Sequence, residues 1–299
     1  MDRIVECIPN FSEGKNQEVI DKIVGEINGV KGVKLLDVES DADHNRSVVT
    51  FIGEPEAVAE AAFLATKKAS ELIDLNKHRG EHPRIGATDV IPFVPISNVT
   101  MEECIGLARK VGKRIADELD IPVYMYEEAA LRPECINLAD IRKGEYEGLK
   151  EEIEKTPCRK PDFGPSKLHK NAGATVVGAR EPLVAFNVNL GTSDIEIAKS
   201  IAKKVRFSSG GLKCVKAKGF EIKKRGIVQV SMNLTNYKET PVFRAYEMVK
   251  TEAEKHGVQV IGCEIIGLVP LDAMINVADF YLKLENFKKD QILETRLWE

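Results

Sequence analysis

The densest group of proton-transferring and anion-binding side chains is Lys77-His78-Arg79-Gly80-Glu81-His82-Pro83-Arg84-Ile85-Gly86-Ala87-Thr88-Asp89, which holds two of the five histidines. Pro83 biases His82 away from helical angles and fixes its backbone. A histidine held in place titrates close to neutral pH, so it can take up and return a proton within one cycle. Arg79 and Arg84 carry the planar fork of donors that grips a carboxylate through two bonds. Residue types alone leave two other readings open. The segment can be a solvated, charged connection with no further role. Or His78 and His82, four apart with Glu81 and Asp89 near, can ligate a metal. Gly80 and Pro83 break the helical face that a metal site would need, and no third histidine is close.

Three more groups can carry chemistry. In Asp162-Phe163-Gly164-Pro165-Ser166-Lys167-Leu168-His169-Lys170-Asn171-Ala172-Gly173-Ala174, glycines let the backbone approach a flat ring. There Phe163 can pack on such a ring, and Lys167 or Lys170 can meet acidic groups; a plain surface linker fits the same composition. The run from Lys203 to Arg225 is basic around Ser208-Ser209-Gly210-Gly211. It reads as a solvated helix end and hairpin, or as a field that attracts a multiply anionic ligand. Asp37, Glu39, Asp41, Asp43 and His44 suit an acidic hairpin loop. Asn10 and Glu13 fall at a strand end, in a plain turn or beside a site.

Several familiar devices are missing. There is no G-x-G-x-x-G, no G-x-x-x-x-G-K-[ST] and no G-x-S-x-G, so no nucleotide cofactor is expected. A net charge of −4 argues against a protein built to grip nucleic acid. Acids stand at the N-terminus where a signal peptide has basic residues, and no stretch approaches the length of a membrane span. The six cysteines are scattered without a C-x-x-C pair, which suits reduced thiols. The expected location is the cytoplasm, with neither nucleic acid nor membrane as partner.

The elements that must position these groups follow from hydrophobic periodicity. A chain of 299 residues calls for two lobes. In the first half, 5–8, 33–38, 47–52, 89–94 and 121–126 read as strands, and Pro92 pushes 89–94 toward a sheet edge or bulge. Helices fall near 19–27 and 57–73, and a third opens at the capping box Thr100-Met101-Glu102-Glu103. In the second half, 183–190, 212–221, 227–234 and 258–263 read as strands, with helices over about 195–205 and 241–256. Both halves thus read β-α-β-β-α-β, the ferredoxin-like order, in an α/β (α+β) protein. Thr156–Ala172, with three prolines and little periodicity, reads as the connection between the lobes.

Longer strings carry a resemblance. Val5-Glu6-Cys7-Ile8-Pro9-Asn10-Phe11-Ser12-Glu13-Gly14, the Lys77–Ala87 segment, Pro161-Asp162-Phe163-Gly164-Pro165-Ser166, Gly173-Ala174-Thr175-Val176-Val177-Gly178-Ala179-Arg180, Ala185-Phe186-Asn187-Val188-Asn189-Leu190 and Gly267-Leu268-Val269-Pro270-Leu271 resemble, in this order, glutamate formimidoyltransferase, or formiminotransferase. The resemblance implies two ferredoxin-like subdomains, 1–178 and 179–299, with a folate cleft between them. It implies transfer of a formimidoyl group from N-formimidoyl-L-glutamate to N5 of tetrahydrofolate, releasing L-glutamate, in histidine breakdown. Tetrahydrofolate is then a co-substrate, and no metal is needed. The proton-transfer histidine of the family falls on His82. Its folate loop falls on Gly164, Pro165, Ser166, Lys167, Leu168, His169, Lys170, Asn171, Ala172 and Gly173. Arg84, Arg79, Asn10 and Glu39 are then candidates to contact the amino-acid substrate. The family forms homodimers.

Two departures stand out. Animal members are fused to a cyclodeaminase, whereas this chain stops at Glu299, so a separate cyclodeaminase would complete the pathway. Lys167-Leu168-His169-Lys170-Asn171 is also more basic than the mostly apolar loop of animal members. Rival readings are a glycine formimidoyltransferase, a 5-formyltetrahydrofolate-dependent formyltransferase and a non-catalytic folate-binding protein.

Overall fold

The computed structural model describes residues 3–296; Met1 and Asp2, part of the opening read for a signal peptide, lie outside them. The chain divides into two compact units, Met1–Arg180 and Glu181–Glu299.

The first unit begins with β1 (Ile4–Cys7), β2 (Asn10–Phe11), α1 (Gln17–Asn28), β3 (Val33–Asp41), β4 (Arg46–Gly53), α2 (Pro55–Leu72) and β5 (Thr88–Ser97). Strands β1 and β2 form one line broken at Ile8-Pro9, and both lie antiparallel between β4 and β5. With β3 outside β4, the strand order is that of a ferredoxin-like sheet. The capping box at Thr100 is present and opens α3 (Met101–Leu119). Then come β6 (Val123–Glu127), α4 (Leu138–Ile141), α5 (Glu145–Glu152) and β7 (Thr175–Ala179). Strand β7 slots between β5 and β6, parallel to both. Phe93, Val123, Met125 and Val177 join the large core with α2 and α3. On the opposite face Val90, Tyr124, Tyr126 and Val176 pack with Ile141 of α4 and Leu149 of α5. Parallel strands covered on both faces are apolar throughout, which is why every residue of β7 is buried.

Two expectations are corrected here. Strand β5 is interior rather than at an edge. Pro92 is tolerated because it stands opposite the break at Ile8-Pro9, where the ladder is already interrupted. Thr156–Ala172 does not join the units. The Val123 carbonyl accepts from the amides of Asp162 and Phe163, the Asp162 carboxylate accepts from the Met125 amide at 2.7 Å, and the chain then returns through β7. Its prolines punctuate a segment folded onto the first unit.

The second unit contains β8 (Val184–Leu190), α6 (Ile195–Val205), β9 (Val215–Ile222), β10 (Ile227–Leu234), α7 (Val242–Lys255) and β11 (Val260–Ile266). Its four antiparallel strands run in the order β11-β8-β10-β9, again ferredoxin-like. Alternate residues Phe186, Val188, Val228, Val230 and Met232 pack with α6 and α7. A further helix, α8 (Leu271–Leu282), has no counterpart in the sequence reading. Part of the basic run is used inside this unit, where Lys204 pairs with Glu252, Lys213 with Glu239 and Arg225 with Glu264. No helix among the described residues is long and apolar enough to cross a membrane.

Candidate active site

His82 lies on the loop from α2 to β5, and four separate segments fix that loop. From the Asn171 side, the Leu75 amide donates to the Asn171 carbonyl at 2.8 Å, and Ala87 donates to Ala172 at 2.8 Å. In return Ala174 donates to the Ile85 carbonyl at 2.9 Å, beside a bridge between Gly86 and Gly173. The first strand line contributes Ser12, whose hydroxyl donates to the Gly86 carbonyl at 2.7 Å. From the β3–β4 hairpin, the Asp43 carbonyl accepts from Glu81 at 3.2 Å, and the Asn45 side chain donates to the Arg79 carbonyl at 3.0 Å. Last, Asp89 at the start of β5 accepts the Ile85 amide at 2.7 Å with one carboxylate oxygen and pairs with Arg142 through the other. The contact at Gly86 is so close that a Cβ there would sit 1.7 Å from the Ala174 carbonyl oxygen. Two stretches more than eighty residues apart are thus one backbone-bonded surface.

The two histidines of the loop have opposite roles. His78 is buried; its Nε2 meets the Asn45 carbonyl at 2.8 Å and its Nδ1 accepts from Arg84 Nε at 3.2 Å. Both ring nitrogens are used internally, so His78 is structural. His82 is half-buried, and its Nε2 lies 3.1 Å from Nη1 of Arg46. A guanidinium has only donors. Nε2 must therefore accept, and the ring carries its proton on Nδ1. Burial, and after it the positive charges of Arg46 and Arg142, push the His82 pKa down to about 2. The ring is a neutral base at any pH near 7. The His44 ring stands edge-on to it, with centroids 6.4 Å apart.

The other candidates divide. Asn10 is at the site: its side-chain oxygen accepts from the same Arg46 Nη1 at 3.1 Å. Glu39 is exposed on β3 and acts on Arg46 through space. Arg79 is exposed and lines an open cavity of about 410 Å³ with Gly80, Arg84, Gly144, Glu145 and Glu147. Arg84 does make the two-pronged carboxylate contact its residue type invites, but the carboxylate is that of Glu147, at 2.8 and 2.7 Å, with Glu145 at 2.9 Å. Its side chain is 7% exposed and saturated by the protein's own groups. In this structure its fork is engaged by the protein's own carboxylates and not by an open site.

Within Gly164–Gly173, Gly164, Ser166, Lys167, Lys170 and Asn171 are exposed, and neither lysine has an ion-pair partner among the described residues. The open side of the stretch thus presents two exposed lysines. Its other side is committed to structure. His169 Nδ1 accepts the amides of Ala172 at 3.0 Å and Asn171 at 3.4 Å, so this ring closes the turn. Leu168 packs on the core, and so does Phe163, which is not free to cover a ring. No group of three or more His, Cys, Asp or Glu able to hold a metal occurs among the described residues.

Sequence reasoning missed Arg46 and Arg142. Both were concealed by position: Arg46 closes an acidic hairpin, and Arg142 lies 53 residues from its partner Asp89.

Comparison with known proteins bears on this geometry. Residues 4–180 match the formiminotransferase domain, N-terminal subdomain, and residues 185–296 match the formiminotransferase domain. A glutamate formimidoyltransferase of Streptococcus pyogenes serotype M1 is 53% identical over 99% of both chains. One from Thermoplasma acidophilum is 52% identical over 98% of this chain and 97% of its own. A formimidoyltransferase-cyclodeaminase of Dictyostelium discoideum is 47% identical over 99% of this chain but 56% of its own length. This chain belongs to the formiminotransferase family.

Proposed function

We propose that the protein transfers a formimidoyl group from N-formimidoyl-L-glutamate to N5 of tetrahydrofolate, releasing L-glutamate, as a step of histidine breakdown. The observation that carries this reading is the backbone-bonded joining of the loop that bears the neutral His82 to the exposed, basic, glycine-flanked Gly164–Gly173 loop. Relatives that match end to end and bear the name glutamate formimidoyltransferase support it.

In this reading His82 takes the proton that the attacking amine must lose and returns it to the departing amine of glutamate. Its pKa of about 2, far below the neutral range expected of a fixed histidine, keeps the ring unprotonated at the start but makes it a weak base. Proton uptake therefore requires that the effect of the nearby arginines be relieved once substrate is bound. Lys167 and Lys170 hold the acidic end of the folate, and the loop backbone lies along its flat body. The cleft's remaining contribution is proximity, since both substrates must be held together. Residues 1–178 and 179–299 are the two subdomains, the protein works as a cytoplasmic homodimer, and a separate cyclodeaminase consumes its product.

The test is a steady-state assay with tetrahydrofolate against formimidoylglutamate, formimidoylglycine and formylglutamate in parallel. Turnover is expected with formimidoylglutamate above the others. Tight folate binding with no turnover on any donor would replace the proposal with a non-catalytic folate binder.

A further inference from the structure

Arg46 is a half-buried cation with no ion-pair partner among the described residues. It opens β4, and its Nη1 is shared between Asn10 Oδ1 and His82 Nε2, each at 3.1 Å. Its Nε is buried and has no hydrogen-bond partner. Among the described residues no carboxylate forms an ion pair with it: Asp89 is held by Arg142, Asp41 by His44, and Glu39 acts only at a distance. Burial and the nearby Arg142 both lower its hold on its proton. Arg84, which is buried, has two carboxylates. Leaving a desolvated charge unpaired is costly, and such a group normally finds an anion or an acceptor. Here the acceptor is the nitrogen that the reaction needs as a base.

We propose that Arg46 receives a carboxylate of the amino-acid substrate, and that until it does so the same guanidinium covers His82 Nε2. The identity of the ligand rests on the formimidoyl-transfer reading; the need for an anion rests on the geometry alone. The switch requires only an exchange of hydrogen bonds. The N–H···Nε2 contact breaks, an N–H···carboxylate contact forms, and the Nε2 lone pair becomes free with no proton moved. The base is then exposed only when the carboxylate of the amino-acid ligand is in place. The planar, two-bond pairing that Arg84 makes with Glu147 is the geometry expected for Arg46 and its ligand.

The experiment uses the full chain, ¹⁵N-labelled and observed through its histidine ring nitrogens while L-glutamate is added. Free wild type should show His82 protonated on Nδ1 with Nε2 hydrogen-bonded. Saturating L-glutamate should move the Nε2 signal toward that of a free lone pair. Arg46→Gln should lose that response and weaken L-glutamate binding by about tenfold or more, as expected for a lost charge-assisted pair. Its tetrahydrofolate affinity should stay within about twofold of wild type, and its melting temperature reports whether it folds. Arg46→Lys keeps the charge without the planar fork and should fall between the two. Unchanged L-glutamate affinity in both variants, or a His82 signal that ignores saturating L-glutamate, overturns the proposal. Failure of wild type to transfer the formimidoyl group overturns the reaction assignment instead, and leaves the L-glutamate titration to decide Arg46.

Discussion

The two units share one core plan but differ in what is added to it. Strands β8, β9, β10 and β11 stop at the four-stranded ferredoxin-like sheet, with β11 at its edge. In the first unit the equivalent edge strand, β5, is covered by β7 and β6. The chain between β6 and β7 returns across the His82 loop before it enters the sheet. The candidate site thus stands on elements of the shared plan, which carry Asn10, Arg46 and His82, and is braced by the extension, which adds Arg142 and the segment bonded to the His82 loop. The lesson is that a repeated core supplies the frame, and that what one copy adds to it fixes the loop where the chemistry is placed.

The largest expected effect that sharpens this contrast is at His82. His82→Ala should lower kcat by about 10²–10⁴-fold while tetrahydrofolate affinity is kept; near-normal turnover would remove His82 from the chemistry. Arg84→Ala comes next, as a stability effect. Loss of the partly exposed pairing with Glu147 and Glu145 should cost about 1–2 kcal/mol in urea melts, with little change in KM for the amino-acid donor. A raised KM at unchanged stability would return Arg84 to the substrate. Gly86→Ala should destabilise by about 1–3 kcal/mol, because its methyl group meets the Ala174 carbonyl and forces the two loops apart. Gly262→Ala in β11 is the matched control: nothing lies within 4 Å of its Cβ, and a change below about 0.5 kcal/mol is expected. Equal effects at both glycines would break the comparison.

A further effect is on pH dependence. His82 has a folded pKa of about 2 against an ordinary 6.5, so over that interval the unfolded chain binds a proton that the folded chain refuses. Stability from this group is full above about 6.5 and falls as pH drops toward 2. His82→Asn should flatten the loss of stability between neutral and mildly acid pH, leaving the smaller contribution of His78, whose pKa is also lowered by burial. An unaltered slope would mean that His82 is open to water.

Much of this was legible in the residues. The βαββαβ order followed from periodicity and caps, and Pro83 marked His82 as fixed. Strand β7 was not legible as a strand, because five residues buried on both faces show no alternation. The role of Thr156–Ala172 was hidden for a related reason. Its prolines and polar residues look the same in a linker and in a segment whose backbone groups are bonded to distant strands. Arg84 was read as a candidate for a substrate carboxylate; the carboxylates it meets in the structure, Glu145 and Glu147, lie 61 and 63 residues away and no local spacing announces them. Arg46 reads as one more solvated charge until Asn10 and His82 are seen on either side of it.

The position of β7 also bears on how the chain is made. Strands β5 and β6 leave the ribosome well before Thr175, yet each bonds to β7 and not to the other. Until residue 179 has emerged, the nascent first unit holds a slot one strand wide with an unpaired row of backbone groups on either side. Its ferredoxin-like part can form early, while the extension must wait for a non-local pairing of the slow, parallel kind. The loop that carries His82 is therefore among the last parts of the first unit to become ordered during synthesis.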